Sequence, residues 1–184
     1  MVLGNARLRS ERIRTPADLL LDDPEASHVY AWLFEHEPAT LEGYIEMVDV
    51  NEHQARLAAT RLQAHGLIED SNDGFEVEPV HETVDGVHVT PGVAAVLAVQ
   101  LENYNVRRFV RRHGPLALAK AVTCWPLVEQ GALESRRVGN AIGVDERDGV
   151  TATNALRAAA DYLAADPYLD DLPTPPVATA VPIE

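Results

Sequence analysis

Apolar positions along this chain recur mostly at helical spacing. Leu41, Tyr44, Ile45 and Val48 follow the i, i+3, i+4, i+7 pattern of a helix with one buried face. Thr40 precedes them as an N-cap, while Gly43 leaves no carboxylate for a capping box. Asp49-Val50-Asn51 forms a tight turn with Val50 as its apolar plug. Asn51 then caps a second helix, residues 52–65, in which Ala55, Leu57, Ala58, Leu62 and Ala64 face or flank the core. Gly66 stops it in the left-handed conformation. The period then changes. Leu67-Ile68 starts a strand, and residues 74–80 and 83–89 alternate apolar with polar as half-buried strands do. Asp73-Gly74 and Asp85-Gly86 are turn dipeptides, so the hairpin has three strand pieces. Pro79 confines its strand to an edge or a bulge.

The flanks are helical. Pro16, capped by Thr15, opens a short helix over residues 17–21, which Asp22-Asp23-Pro24 breaks. A helix over residues 25–36 carries the stripe Ala26, Val29, Tyr30, Leu33 and Phe34, with Trp32 off it and free to pack on another segment. Thr90-Pro91 restarts a helix that runs to residue 105 and is apolar enough to cover the hairpin or pair with a second chain. Residues 106–113 set Arg107, Arg108, Arg111 and Arg112 around Val106, Phe109 and Val110, and Gly114-Pro115 stops them. Residues 116–128 form a strongly apolar helix kinked at Pro126. A helix begins at 134–139, and residues 137–144 read as a first helix and its Gly-containing turn. A loop over residues 145–149 leads to a last helix, 150–164, capped by Thr151 or Thr153. This pair resembles a second helix-turn-helix, although the same pattern describes any αα-hairpin. Residues 1–16, with Arg7, Arg9, Arg12 and Arg14, read as a flexible basic arm, and residues 166–184, with five prolines, as a disordered tail.

The fold class implied is mainly α with a small β-hairpin wing: a winged helix-turn-helix over residues 17–90 followed by a helical region over 91–165. That region is a candidate for dimerisation or for a second helix-turn-helix-like unit. In such folds the second helix enters the major groove and reads base edges from its first turns. The candidate DNA contacts are therefore Asn51, His53, Gln54, Arg56, Thr60 and Arg61, with Arg107, Arg108, Arg111 and Arg112 on phosphates.

Charge complicates that picture. The net charge of the chain is −14, and residues 25–90 hold 14 acidic side chains against two basic ones, Arg56 and Arg61. DNA-binding surfaces need cations near phosphates. However, residues 51–66 are themselves net +1, and in molar salt the Debye length of about 3 Å hides distant carboxylates. Acidity with 14 Arg and a single Lys, Lys120, points to a halophilic source. The alternative reading is a winged-helix module whose acidic face binds a partner protein instead of DNA.

Other chemistries lack their signatures. The seven histidines (28, 36, 53, 65, 81, 88, 113) and lone Cys124 make no metal-binding spacing, although His81 and His88 could meet on the hairpin. No P-loop, dinucleotide-binding or nucleophile-elbow pattern occurs, so no enzyme, metal or cofactor is implied. No segment has the roughly 18 apolar residues of a membrane span, and residues 1–15 lack the apolar run of a secretory signal, so a cytoplasmic protein is expected.

Three stretches carry a resemblance: Asp22-Asp23-Pro24, the Thr40 to Asp70 region, and Val106-Arg107-Arg108-Phe109-Val110-Arg111-Arg112-His113-Gly114. Over roughly residues 17–165 the chain resembles a haloarchaeal family of winged helix-turn-helix proteins of the transcription-regulator type. The resemblance implies a winged-helix fold, binding to double-stranded DNA and a homodimer, and it supplies no catalytic residues. Glu52 departs from the family, whose reading helix opens with small polar residues.

Overall fold

Each helix of the first half begins where a short polar side chain accepts the amide of the third residue on. Thr15, Asp23, Thr40 and Asn51 do this for α1 (Pro16–Asp22), α2 (Pro24–Glu35), α3 (Leu41–Val48) and α4 (Glu52–Ala64). These elements belong to a computed structural model that describes residues 15–175. Residues 1–14 of the expected arm (1–16) and the last nine residues of the tail lie outside the described residues, whereas Thr15 and Pro16 belong to the start of α1. Trp32 is covered within the chain, with its ring stacked on His36 and edge-on to Tyr44 of α3.

The strands differ from the expected hairpin of three strand pieces. They form two separate antiparallel pairs, β1 (Ile68–Ser71) with β2 (Gly74–Val77), and β3 (Glu82–Val84) with β4 (Val87–Val89). Ile68 faces Val77 in the first, and Glu82 faces Val89 in the second. The break between them has a physical cause. Pro79 offers no amide to a neighbouring strand. The buried hydroxyl of Tyr30 takes over as partner, donating to the Glu78 carbonyl at 2.9 Å and accepting the Val80 amide at 2.8 Å.

After β4, Thr90 caps α5 (Pro91–Ala98), and every residue of α5 is buried. A helix apolar on all sides belongs in an interior, and α1, α2, α7, α10 and α11 pack around this one. The surface expected to receive a second chain is thus used inside the molecule. The helix does not run on to residue 105. A 3-10 turn, Val99–Leu101, follows, and Asn103 caps a new helix, α6 (Tyr104–His113). The expected helix over residues 116–128 is likewise divided into α7 (Pro115–Ala121), a 3-10 turn Val122–Cys124, and α8 (Trp125–Glu129). Pro126 lacks the N–H that would continue the ladder to Val122, so the helix tightens there before starting again.

Two helices close the described chain as a tight pair. They are α9 (Ser135–Ile142) and α10 (Glu146–Ala158), with α11 (Ala160–Ala165) after them. Asp145, not Thr151 or Thr153, caps α10, accepting the Asp148 amide at 2.8 Å, so the helix starts earlier than the apolar pattern suggested. Thr153 is buried instead, its hydroxyl donating to the Gly149 carbonyl. Residues 166–172, read as the start of a disordered tail, dock on the core. Asp166 is buried and accepts from the Thr90 hydroxyl at 2.5 Å and the Gly92 amide at 2.9 Å. Tyr168 stacks on His81, and Leu172 is buried. Buried residues form one connected cluster from Ala17 to Leu172.

Candidate nucleic-acid interface

The corner between α3 and α4 sets the exposed face. Asp49 adopts a left-handed conformation at φ 53°, Val50 packs half-buried, and Asn51 caps α4 by accepting the Gln54 amide at 3.1 Å. Ala55, Ala58, Ala59 and Leu62 turn inward. The opposite side of α4, with Glu52, His53, Gln54, Arg56, Leu57, Thr60, Arg61 and Gln63, is exposed. Leu57 and Ala64, expected to face or flank the core, are exposed. Leu57 is 47% exposed and lies in a cleft of about 1020 Å³ with Gln54, Arg61, Asp22 to Glu25, and Arg111.

Both arginines of α4 are already paired. Arg56 Nε donates to Glu52 Oε1 at 2.9 Å, and its Nη2 donates to Glu42 Oε1 on α3 at 3.3 Å. Those two hydrogen bonds raise the guanidinium pKa further. Arg61 Nε reaches Asp23 Oδ2 at 3.0 Å, while the other oxygen of Asp23 caps α2. Thr60 donates to the Arg56 carbonyl, and Gln63 donates to Asp70 at 2.9 Å. The polar face of α4 is therefore open in shape but has its cations held by carboxylates. The Arg56 pairs are exposed and each worth about 0–1 kcal/mol, so a polyanion can compete for Arg56, whereas Asp23, the partner of Arg61, is largely buried.

The second arginine group divides. Arg107 donates to the backbone carbonyls of Gln100 and Leu101, closing the 3-10 turn beneath it. Arg112 pairs with Asp148 at 3.1 Å and Asp145 at 3.8 Å, and His113 Nε2 lies 2.6 Å from the same Asp148 oxygen. The Asp148 amide bond, with help from Arg112, lowers the Asp145 pKa. These contacts tie α6 to the start of α10. Arg108 and Arg111 are exposed, and Arg111 lines the cleft beside α4. Arg107 and Arg112 thus have structural duties, and Arg108 and Arg111 keep open guanidinium groups.

Sequence reasoning missed the carboxylate partners. Glu52, four residues before Arg56 on one helix, was readable as an i, i+4 pair. Asp23 and Glu42 belong to other helices, and only the packing brings them to α4. His81 and His88 do meet, as stacked rings with centroids 5.9 Å apart. No group of three potential metal ligands occurs among the described residues. None of the helices described is long and apolar enough to cross a membrane. Comparison with known family models, with characterised proteins and with solved structures returns no match.

Proposed function

We propose that this chain is a transcription regulator that binds duplex DNA through a winged helix-turn-helix, with α4 as the reading helix and the strand pairs as its wing. The observation that carries the reading is the α3–α4 corner. Its left-handed residue, apolar plug and capped second helix leave a polar stripe uncovered along α4. Asn51, His53, Gln54, Arg56, Thr60 and Arg61 stand at or near the first three turns of that stripe, where base edges would be met. Of the second arginine group, Arg108 and Arg111 are available for phosphate contacts. In this reading Arg56 and Arg61 exchange intramolecular carboxylates for phosphates when DNA arrives. The exchange lowers affinity at low salt and makes binding less dependent on charge than the number of arginines suggests. In the same reading the acidic composition is taken as a mark of a high-salt cytoplasm, where that arrangement still works.

A titration of the full chain on labelled duplex across potassium chloride concentrations tests this. Replacing Arg56 and Arg61 by Ala lowers affinity about tenfold or more. Replacing Glu42 and Glu52 by Gln frees Arg56 and raises affinity severalfold. Absence of duplex binding at every salt concentration overturns the proposal.

A second reading has its own observation. Residues 25–90 carry a net charge of −12, and carboxylates hold both arginines of α4. The same surface would then accept a basic partner protein. Recovery of such a partner together with no affinity for duplex selects this reading.

A further inference from the structure

The helix lengths, corner and cap of α3–α4 recur in α9–α10, although the second pair packs closer, backbone against backbone at Gly139 and Gly149. Leu41 and Ser135 open the first helix of each pair, and Glu52 and Glu146 open the second, so a shift of 94 residues superposes the two in sequence. The lengths agree, eight residues and then thirteen in both. So do the corners. Asp49 and Gly143 are left-handed at φ 53° and 82°, and Val50 and Val144 are each half-buried. Asn51 and Asp145 cap by taking the third amide on, at 3.1 and 2.8 Å. Inward positions correspond as well: Ala55, Ala58, Ala59 and Leu62 match Gly149, Ala152, Thr153 and Leu156, all buried. Even the helix before the pair obeys the shift at its end, with α2 stopping at Glu35 and α8 at Glu129.

The two copies differ in charge, and the difference decides their use. Residues 41–64 have four acidic and two basic side chains, whereas residues 135–158 have three acidic and four basic. Glu42, the carboxylate that holds Arg56, becomes Arg136 in the second copy, and Glu46 becomes Asn140. His53 and Thr60 on the open stripe become Arg147 and Asn154, seven residues apart and so on one side of α10. Arg136, Arg137, Arg147 and Asn154 are all exposed, and no ion pair among the described residues holds the three arginines. Of the three acidic groups, Asp145 is engaged as the cap and Asp148 by Arg112 and His113.

We propose that residues 135–158 are a second duplex-binding unit. Arg147 and Asn154 on α10 would meet base edges, and Arg136 and Arg137 on α9 would meet phosphates of a second stretch of DNA. The inference rests on reading the α3–α4 corner as a DNA-binding one, and it assigns the stronger electrostatic contact to the copy without a carboxylate fence. One chain then presents two reading helices, which other regulators obtain by pairing two subunits.

Fluorescence anisotropy with a labelled mixed-sequence duplex of about 30 base pairs, three helical turns, tests it on the full chain. Replacing Arg136 and Arg137 by Ala weakens binding about tenfold or more. It also reduces the slope of log affinity against log salt by about 2, close to one unit per lost phosphate contact. R147A combined with N154A weakens binding comparably, with thermal melting unchanged because both side chains are exposed. Loss in these variants supports the second unit. Loss only on replacing Arg56 and Arg61 overturns the second unit and keeps the first. Unmodified protein that fails to bind duplex at any salt overturns both.

Discussion

Substituting Gly149 by Ala tests the packing on which the α9–α10 unit depends. In an ordinary helix this change stabilises by about 0.4–1 kcal/mol, because alanine has less freedom to lose on folding. Here the sign reverses. A Cβ on Gly149 would stand 2.3 Å from the Gly139 nitrogen, 2.7 Å from the Gly139 Cα and 3.1 Å from the Arg136 carbonyl oxygen. All three are backbone atoms, so no side chain can swing aside. Comfortable contact between such atoms is about 3.5 Å, so α9 and α10 must separate by about an ångström. That separation loosens the packing around Val138, Ile142, Ala152 and Leu156, all buried. Overpacking of this severity costs about 3 kcal/mol, or about 2 kcal/mol after the alanine gain. For a chain of this size the melting temperature falls by about 4–8 °C. The assay is thermal melting by circular dichroism with a urea titration beside it. Ala55, at the corresponding place in α4, already has a Cβ, so Ala55→Gly should cost only about 1 kcal/mol. A Gly149→Ala protein that melts at or above the parent temperature refutes the close-approach argument.

Three further outcomes are expected. Asp166→Ala strands the buried Thr90 hydroxyl and Gly92 amide, and should cost about 2–4 kcal/mol by urea unfolding, far more than a tail residue would. Burial lowers the His28 pKa, overriding the nearby Glu102 and Glu25, while its Nδ1 lies 3.0 Å from the Tyr44 hydroxyl. The folded state therefore resists protonation that the unfolded state accepts below about pH 6.5, so the His28 contribution to stability is present above that pH and is lost as pH falls. Urea midpoints from pH 7.5 to 5.5 should decline more for the parent than for His28→Gln, and equal declines would remove His28 as the cause. Burial also pushes the Cys124 thiol up to about 11, so it should react with a disulfide reagent only upon unfolding, and rapid labelling of native protein at pH 8 would contradict its placement.

Local chemistry determined a large part of this molecule. Thr15, Thr40, Asn51 and Thr90 announce helix starts, because each short polar side chain satisfies an amide within its own first turn. The corner Asp49-Val50-Asn51 and the inward spacing of Ala55, Ala58 and Leu62 were equally legible, since both depend on neighbours three or four residues away. Tertiary structure decided what depends on distant partners. The hairpin was split by a hydroxyl on α2, Tyr30, at a place where the strand pattern alone continued. Along the chain only Glu52 stood within reach of Arg56 and nothing within reach of Arg61; Asp23 and Glu42 reach them only because α2, α3 and α4 pack together. A second helix-turn-helix-like pair was legible near the end of the chain, but the register that matches residues 41–64 to 135–158 was not, because few side chains repeat. What repeats is the left-handed corner, the cap and the buried register, and these can be matched only once both backbones are in view.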